Sequence, residues 1–174
     1  MNSDIFKNLM VFEMANNHQG CVEHGKNIIS EISKITNAHE INGCIKFQYR
    51  DLPEFIHADF RERDDLPHIP RLMSTSLSPE QFLDMETFAK SKALKVMVTP
   101  FDEKSVERCI AHKVDIIKVA SCSAADWPLL EAISNSGLPV IASSSLAHLL
   151  YCDSNHCITA YIICNGITHI YIYI

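Results

Sequence analysis

Four apolar runs of this chain each deliver polar side chains suited to gripping an anion. They are Leu9-Met10-Val11-Phe12-Glu13, Cys44-Ile45-Lys46-Phe47-Gln48, Val96-Met97-Val98-Thr99 and Ile116-Ile117-Lys118-Val119-Ala120-Ser121. Two lysines and two hydroxyls offer charge-assisted hydrogen bonds to phosphate and carboxylate groups. Fixed cations also stabilise charge developing on a departing phosphate. A carboxylate such as Glu13 can orient or deprotonate an attacking water. Burying an unpartnered ammonium is costly, so Lys46 and Lys118, set inside apolar runs, read as functional residues rather than filler. Glu13 follows the same logic. Thr99 and Ser121 carry two readings, because hydroxyls at strand ends also fix turns and helix starts.

Short β-branched runs alternate with longer amphipathic segments, and the runs must be strands if they are to place these side chains together. Ile28, Ile29, Ile32 and Ile35 recur at helical spacing and predict a helix over Val22–Ala38. Ser78-Pro79-Glu80-Gln81 predicts a helix start with a capping box and proline at the first position, followed by a buried stripe of Phe82, Met85 and Phe88. Asp102 is a candidate cap for a helix burying Val106, Cys109 and Ile110. Asp126 with Pro128 starts another, burying Leu129, Leu130 and Ile133, and Gly137 reads as its C-terminal cap. Pro139-Val140-Ile141-Ala142-Ser143 reads as a fifth strand. Trp127 reads as a packing anchor beside Pro128.

Strand and helix in alternation argue for α/β architecture with a parallel sheet and right-handed crossovers. Val11 with Glu13, Lys46 with Gln48 and Met97 with Thr99 share faces, while the opposite faces are apolar. In β/α barrels the carboxyl ends of the strands form the rim that carries the chemistry. The polar stretch from Asp51 to Thr75, with Pro53, Pro67 and Pro70, is long for a strand-to-helix connection. It predicts a functional loop in which Arg50, Asp51, His57, Arg61, Arg63, Asp64 and Asp65 help close a site, with a solvated surface excursion as the alternative.

The 174 residues suggest one domain with a sizeable core. Hydrophobic and charged fractions of 47% and 21% are those of a soluble globular protein. A formal net charge of −6 disfavours nucleic-acid or anionic-membrane partners. No basic segment with a long apolar core opens the chain, and no apolar run reaches the roughly 18 residues of a membrane span. Seven cysteines without a secretory signal read as reduced thiols and predict a cytoplasmic protein.

The character changes after Leu146. From Ala147 to Ile174 the only formally charged residue is Asp153, and the ending alternates Tyr and Ile. A TAT/ATA repeat would encode that alternation, so residues 147–174 are expected to be an atypical tail from read-through or a frameshift. A genuine edge strand is the alternative. Residues 1–146 then form the folded part.

These motifs resemble the sialic acid synthase family, which makes N-acetylneuraminate and related nonulosonates. The resemblance is carried by Phe12-Glu13-Met14-Ala15-Asn16-Asn17-His18-Gln19-Gly20, Ile45-Lys46-Phe47-Gln48, Thr99-Pro100-Phe101-Asp102-Glu103-Lys104-Ser105-Val106, Ile117-Lys118-Val119-Ala120-Ser121, Pro128-Leu129-Leu130 and Pro139-Val140-Ile141-Ala142-Ser143. The ordered series, running from about Met10 to Ser144, is more specific than any single motif. It implies a partial TIM (β/α)8 barrel of about five parallel strands and four helices. It also implies a transferase that condenses phosphoenolpyruvate with an N-acylated amino-sugar aldehyde of the N-acetylmannosamine type. Lys46, Thr99, Lys118 and Ser121 resemble the family's phosphoenolpyruvate contacts, with Ser143 a further candidate. Glu13 resembles the catalytic carboxylate of the first strand, and Gln48 a sugar-side contact. His18 and Asn17 belong to the adjoining turn, where His18 is expected to fix the backbone. The family further implies a divalent metal, manganese or magnesium, and homo-oligomers among full-length relatives.

The departures bear on activity. Cys122-Ser123 stands where many members carry Gly-Glu, which bears on the sugar bound, and Ser143-Ser144-Ser145 replaces a Ser-Thr-Gly pattern. The family's metal-binding histidines have no counterparts here, and the C-terminal antifreeze-like domain of many members is absent. The loose cluster of Cys152, Asp153, His156, Cys157, Cys164 and His169 does not read as a zinc site. Nor does Cys122 read as a nucleophile, because no base accompanies it. The expectation is therefore a truncated, weakly active or inactive synthase. The alternatives are a non-catalytic piece binding ligand or full-length subunits, and another phosphoenolpyruvate-condensing or aldolase-type barrel.

Overall fold

The computed structural model describes residues 3–61, 63 and 65–143. Asp64, Ser144, Ser145, the tail expected over 147–174 and its cysteine–histidine cluster lie outside the described residues. After a 3-10 turn at Ser3–Phe6 the chain forms β1 (Leu9–Glu13), α1 (Val22–Ala38), β2 (Asn42–Tyr49), α2 (Leu52–Phe55) and α3 (His68–Ser74). It continues through α4 (Pro79–Ser91), β3 (Lys95–Pro100), α5 (Glu103–Ala111), β4 (Ile116–Val119), α6 (Trp127–Asn135) and β5 (Val140–Ala142). The strands make a parallel sheet in the order β1-β2-β3-β4-β5. That unbroken order belongs to a singly wound (β/α)8 barrel, whereas doubly wound sheets reverse their order partway across. The expected partial-barrel architecture is therefore the observed one.

The chain divides into two compact units, Met1–Gln48 with Leu52–Met97, and Tyr49–Asp51 with the residues from Val98 onward. In the first unit, Gly43, Ile45 and Phe47 of β2 are buried, while Lys46 and Gln48 on the alternate face are only half-buried. The register of β1 on β2 sets Glu13 opposite Lys46. Helix α1 has the expected limits but a different buried stripe, made of Gly25, Ile29, Ser33 and Thr36, while Ile35 is 51% exposed. Close approach explains the rotation. A Cβ on Gly25 would stand 2.3 Å from Met85 Sδ, and one on Gly43 2.8 Å from Thr36 Cγ2. Small residues therefore face the neighbours beside the buried Ile29, while Ile28, Ile32 and Ile35 turn partly or wholly away.

The capping box at Ser78 and Gln81 forms as expected. Phe82 and Met85 are buried, but Glu86 and Ala89 join them, and Phe88 is half-buried with the Lys26 and Lys92 ammonium groups at 5.7 and 5.3 Å from its ring. The stretch expected as a loop is instead largely folded into α2, a 3-10 turn at Ala58–Phe60, and α3. Pro53 lies in the first turn of α2 and Pro67 immediately before α3. In those positions a proline has no helical hydrogen bond to lose, so it starts a helix rather than breaking one.

In the second unit Asp102 caps α5, accepting the Ser105 N–H at 2.7 Å, and Asp126 caps α6 through the Leu129 N–H at 3.3 Å. Gly137, at φ +66°, ends that helix in the left-handed region open to glycine. Leu129 and Ile133 are buried and Leu130 is half-buried. In α5 the stripe is Ser105, Val106 and Cys109, while Ile110 is exposed. Trp127 is not a packing anchor: it opens α6 with its side chain 64% exposed. Among the described residues no helix is long and apolar enough to cross a membrane.

Candidate functional site

In the first unit the structure joins two of the expected site residues directly. Glu13 ends β1, Lys46 lies opposite on β2, and the Lys46 ammonium pairs with Glu13 Oε2. The Lys46 side chain is only 14% exposed against 45% for Glu13, so the cation is the more sheltered partner. The second carboxylate oxygen, Oε1, accepts the Ala15 N–H at 3.2 Å. The Met14 N–H continues the ladder beyond β1 onto the Lys46 carbonyl at 2.9 Å. Backbone pairing thus fixes Glu13 from both sides. Gln48 occupies the Lys46 face of β2 and is half-buried.

The turn after Glu13 is strained in a way its sequence partly announces. Ala15, Gln19 and Gly20 all have positive φ, at 41°, 52° and 71°. Gly20 is required as well as permitted: a Cβ there would come 2.9 Å from the Ser74 carbonyl oxygen. His18 is buried inside the turn, where its Nδ1 accepts the Gly20 N–H at 3.1 Å and its ring meets Phe82 edge-on at 5.8 Å. Burial pulls its pKa below the ordinary histidine value, and His24 adds to the shift. A neutral acceptor suits a turn-fixing part, in line with the sequence reading.

The second unit carries the other expected residues on separate strand ends. Thr99, the penultimate residue of β3, is 2% exposed, and its Oγ1 has no hydrogen-bond partner among the described residues. Buried hydroxyls are nearly always bonded, so this one is either desolvated at a cost or kept for a ligand. Lys118 is half-buried on β4 between the buried Ile117 and Val119. Ser143 lies one residue past β5, with its N–H donated to the Val119 carbonyl at 3.1 Å. Ser121 is exposed and opens a 3-10 turn, Ser121–Ser123.

Sequence reasoning missed one further arrangement in this unit. Arg50, directly after β2, lies over the Phe101 ring with its guanidinium carbon 3.9 Å from the centroid. Asp102 has a second task beyond its helix cap, accepting the Asp51 N–H on Oδ2 at 2.7 Å. Asp51 in turn pairs with Lys104 at 3.3 Å. The available signal was positional: Arg50-Asp51 and Phe101-Asp102 directly follow consecutive strands of the predicted sheet.

Among the described residues no group of three or more His, Cys, Asp or Glu side chains could hold a metal ion. The divalent metal implied by the resemblance therefore has no fitting donor set there. His148, His156 and His169 fall outside the described residues.

The model of the NeuB family matches residues 34–160, well over half of the chain. The chain belongs to the NeuB family. This NeuB-family chain is 46% identical to a solved Chromobacterium violaceum protein designated spore coat polysaccharide biosynthesis protein E, at a TM-score of 0.79. That match covers 82% of the chain and 42% of the Chromobacterium protein. The N-acetylneuraminic acid (sialic acid) synthetase of Leptospira borgpetersenii, solved with citrate, matches at 26% identity and a TM-score of 0.67, over 81% of this chain and 45% of that one. The N-acetylneuraminate-9-phosphate synthase of Drosophila melanogaster is 29% identical over 144 residues, 79% of this chain and 37% of the relative. The NeuB-family chain thus spans less than half the length of these relatives. The sialic acid synthase resemblance read from the strand-end motifs is borne out at family level.

Proposed function

We propose that this chain supplies phosphoenolpyruvate-binding strands to a synthase that joins phosphoenolpyruvate to the aldehyde of an N-acylated amino sugar of the N-acetylmannosamine type. The reading is carried by the sheltered Lys46 ammonium set against Glu13 at the end of β1. Lys46 and Lys118 bind the phosphate and carboxylate of phosphoenolpyruvate, with hydroxyls from Thr99, Ser121 and Ser143 completing the hydrogen bonds. Thr99 supports this most directly, because an oxyanion ligand would satisfy its unpartnered hydroxyl. Gln48 is the sugar-side contact, and Glu13 the carboxylate that orients or deprotonates the attacking water. The names of the Drosophila and Leptospira relatives support the same substrate class.

The test is phosphoenolpyruvate binding to the full chain, followed by 31P NMR or calorimetry. Lys46→Met and Lys118→Met are each expected to weaken it about tenfold or more, since a hydrogen bond to a charged group is worth roughly 1.5–3 kcal/mol. Unchanged affinity in both variants, or no binding by the parent chain, would sink the reading.

The lack of a metal-holding group among the described residues favours a second reading, ligand binding without turnover. Incubation with phosphoenolpyruvate, N-acetylmannosamine and Mn2+, with release of inorganic phosphate as readout, separates the two. Binding without phosphate release supports a non-catalytic chain, and sustained release excludes it.

A further inference from the structure

We infer that His18 is a pH-sensitive pin for Glu13, holding the turn after β1 so that the carboxylate stays fixed against Lys46, and releasing it on protonation. The turn from Met14 to Gly20 has two buried side chains, Met14 and His18, and His18 is the polar one. Its Nδ1 accepts the Gly20 N–H at 3.1 Å, and its carbonyl accepts the Cys21 N–H at 2.9 Å. The ring meets Phe82 of α4 edge-on, and its Cβ lies 3.3 Å from where a Cβ on Gly25 of α1 would stand. One imidazole thereby anchors the turn against two helices.

Strained backbone transmits the hold to Glu13. Ala15 and Gln19 both occupy the left-handed region, at φ 41° and 52°, where a side chain crowds the backbone. Such residues persist only while the surrounding contacts over-determine them. Those contacts run back from His18, with the Gln19 N–H on the Asn16 carbonyl at 2.9 Å and the Asn17 N–H on the Met14 carbonyl at 2.8 Å. They end at the Ala15 N–H, which Glu13 Oε1 at 3.2 Å shares with the Lys46 carbonyl at 3.4 Å. Once the Gly20 bond is lost, Gln19 and Ala15 relax toward ordinary φ, and the donor that fixes Glu13 moves away.

Protonation is the event that removes the bond. An imidazolium carries a proton on both nitrogens, so Nδ1 no longer accepts and meets the Gly20 N–H as a second donor. On the helices packed against the ring, His24 and Lys26 flank Gly25, and Asp84 and Glu86 flank Met85. Lys26 and Asp84 pair with each other at 2.8 Å, and Glu86 is buried in the α4 stripe. Glu13 precedes the turn and Cys21 follows it. Of these groups His24 is the one that acts on the His18 titration, and it opposes protonation as burial does. The release therefore belongs below pH 6.5, the ordinary histidine value.

Amide exchange followed by NMR on the ligand-free chain tests the pin, with the buried Ile29 as the reference for global unfolding. Between pH 7.5 and 5, exchange corrected for its intrinsic rate is expected to rise about fivefold at both Gly20 and Ala15, with a midpoint matching that of the His18 ring signals. His18→Asn keeps an acceptor oxygen near the Nδ1 position and does not titrate, so it should hold both amides across the range. His18→Phe keeps the packing without the acceptor and should release both already at pH 7.5. Release of Gly20 with Ala15 unchanged would mark a purely local bond and overturn the inference. So would an Ala15 amide unprotected at pH 7.5, a His18 ring that stays neutral down to pH 5, full protection in His18→Phe, or the same acid release in His18→Asn. If either variant fails to fold, the match of midpoints in the parent decides. None of these readouts uses a ligand, so intact phosphoenolpyruvate binding in Lys46→Met and Lys118→Met defeats the proposed function and leaves the pin standing.

Discussion

Lys46 and Glu13 stand opposite each other in the parallel register of β2 and β1, and their side chains form an ion pair in which the lysine is the buried member. The pair adds little stability, because a half-exposed carboxylate is screened by water and such contacts are worth about 0–1 kcal/mol. Its consequence is positional, since it holds an ammonium at a strand exit. Glu13→Gln should therefore leave the fold intact and tighten phosphoenolpyruvate binding by up to about fivefold, by removing a competing negative charge. Calorimetric titration of the variant beside Lys46→Met checks the sign. Weaker binding in Glu13→Gln would show that the carboxylate contributes to ligand affinity.

Asp102 ties two connections together, through the Asp51 N–H on one oxygen and the Ser105 N–H on the other. Asp102→Ala removes a helix cap and a second hydrogen bond, each to a charged acceptor. The expected loss is about 2 kcal/mol in urea unfolding, larger than for an ordinary cap. Asp126→Ala, which removes a single cap contact, should cost about 1 kcal/mol.

Gly20 combines a left-handed backbone with a close approach to the Ser74 carbonyl. Gly20→Ala should lower stability by about 1–3 kcal/mol, from strain at positive φ together with the contact against fixed backbone. Gly137→Ala provides the contrast. It has positive φ and open space around it, so its cost should be only the conformational part, about 1 kcal/mol. Parallel thermal melts of the two variants test the difference.

His18 should make stability depend on pH. Its folded-state pKa lies below the ordinary value of 6.5, chiefly through burial. Below that ordinary value the unfolded chain binds a proton that the folded chain resists. The contribution is thus fully present above pH 6.5 and falls as the pH drops toward the lowered folded-state value. Protonation also removes the Nδ1 lone pair that accepts the Gly20 N–H. The parent should lose more melting temperature between pH 7.5 and 5.5 than His18→Gln does. Equal slopes would remove His18 as the cause.

Much of the architecture was legible because it is written locally. The cap residues Ser78, Asp102 and Asp126 and the terminator Gly137 act within a few positions of themselves, and all four behave as read. The alternation of Lys46 and Gln48 with Ile45 and Phe47 sets the two faces of β2 in the same way. The prolines of the 51–75 stretch misled, because a proline breaks a helix interior but suits a first turn, and sequence alone does not number the turn.

By itself, then, the sequence determined which strands form, which faces carry charge and which family the motifs belong to, since periodicity, caps and motif order are properties of neighbouring residues. The tertiary structure decided what depends on residues far apart in the chain. It turned the α1 stripe toward Gly25, Ile29, Ser33 and Thr36, because the approach at Gly25 and Gly43 leaves no room for a larger side chain there. It paired Glu13 with Lys46 through register, left the Thr99 hydroxyl buried without a partner among the described residues, and laid Arg50 on Phe101 across two strand exits. Register and packing distance arise only when separate segments meet, so no local pattern encodes them.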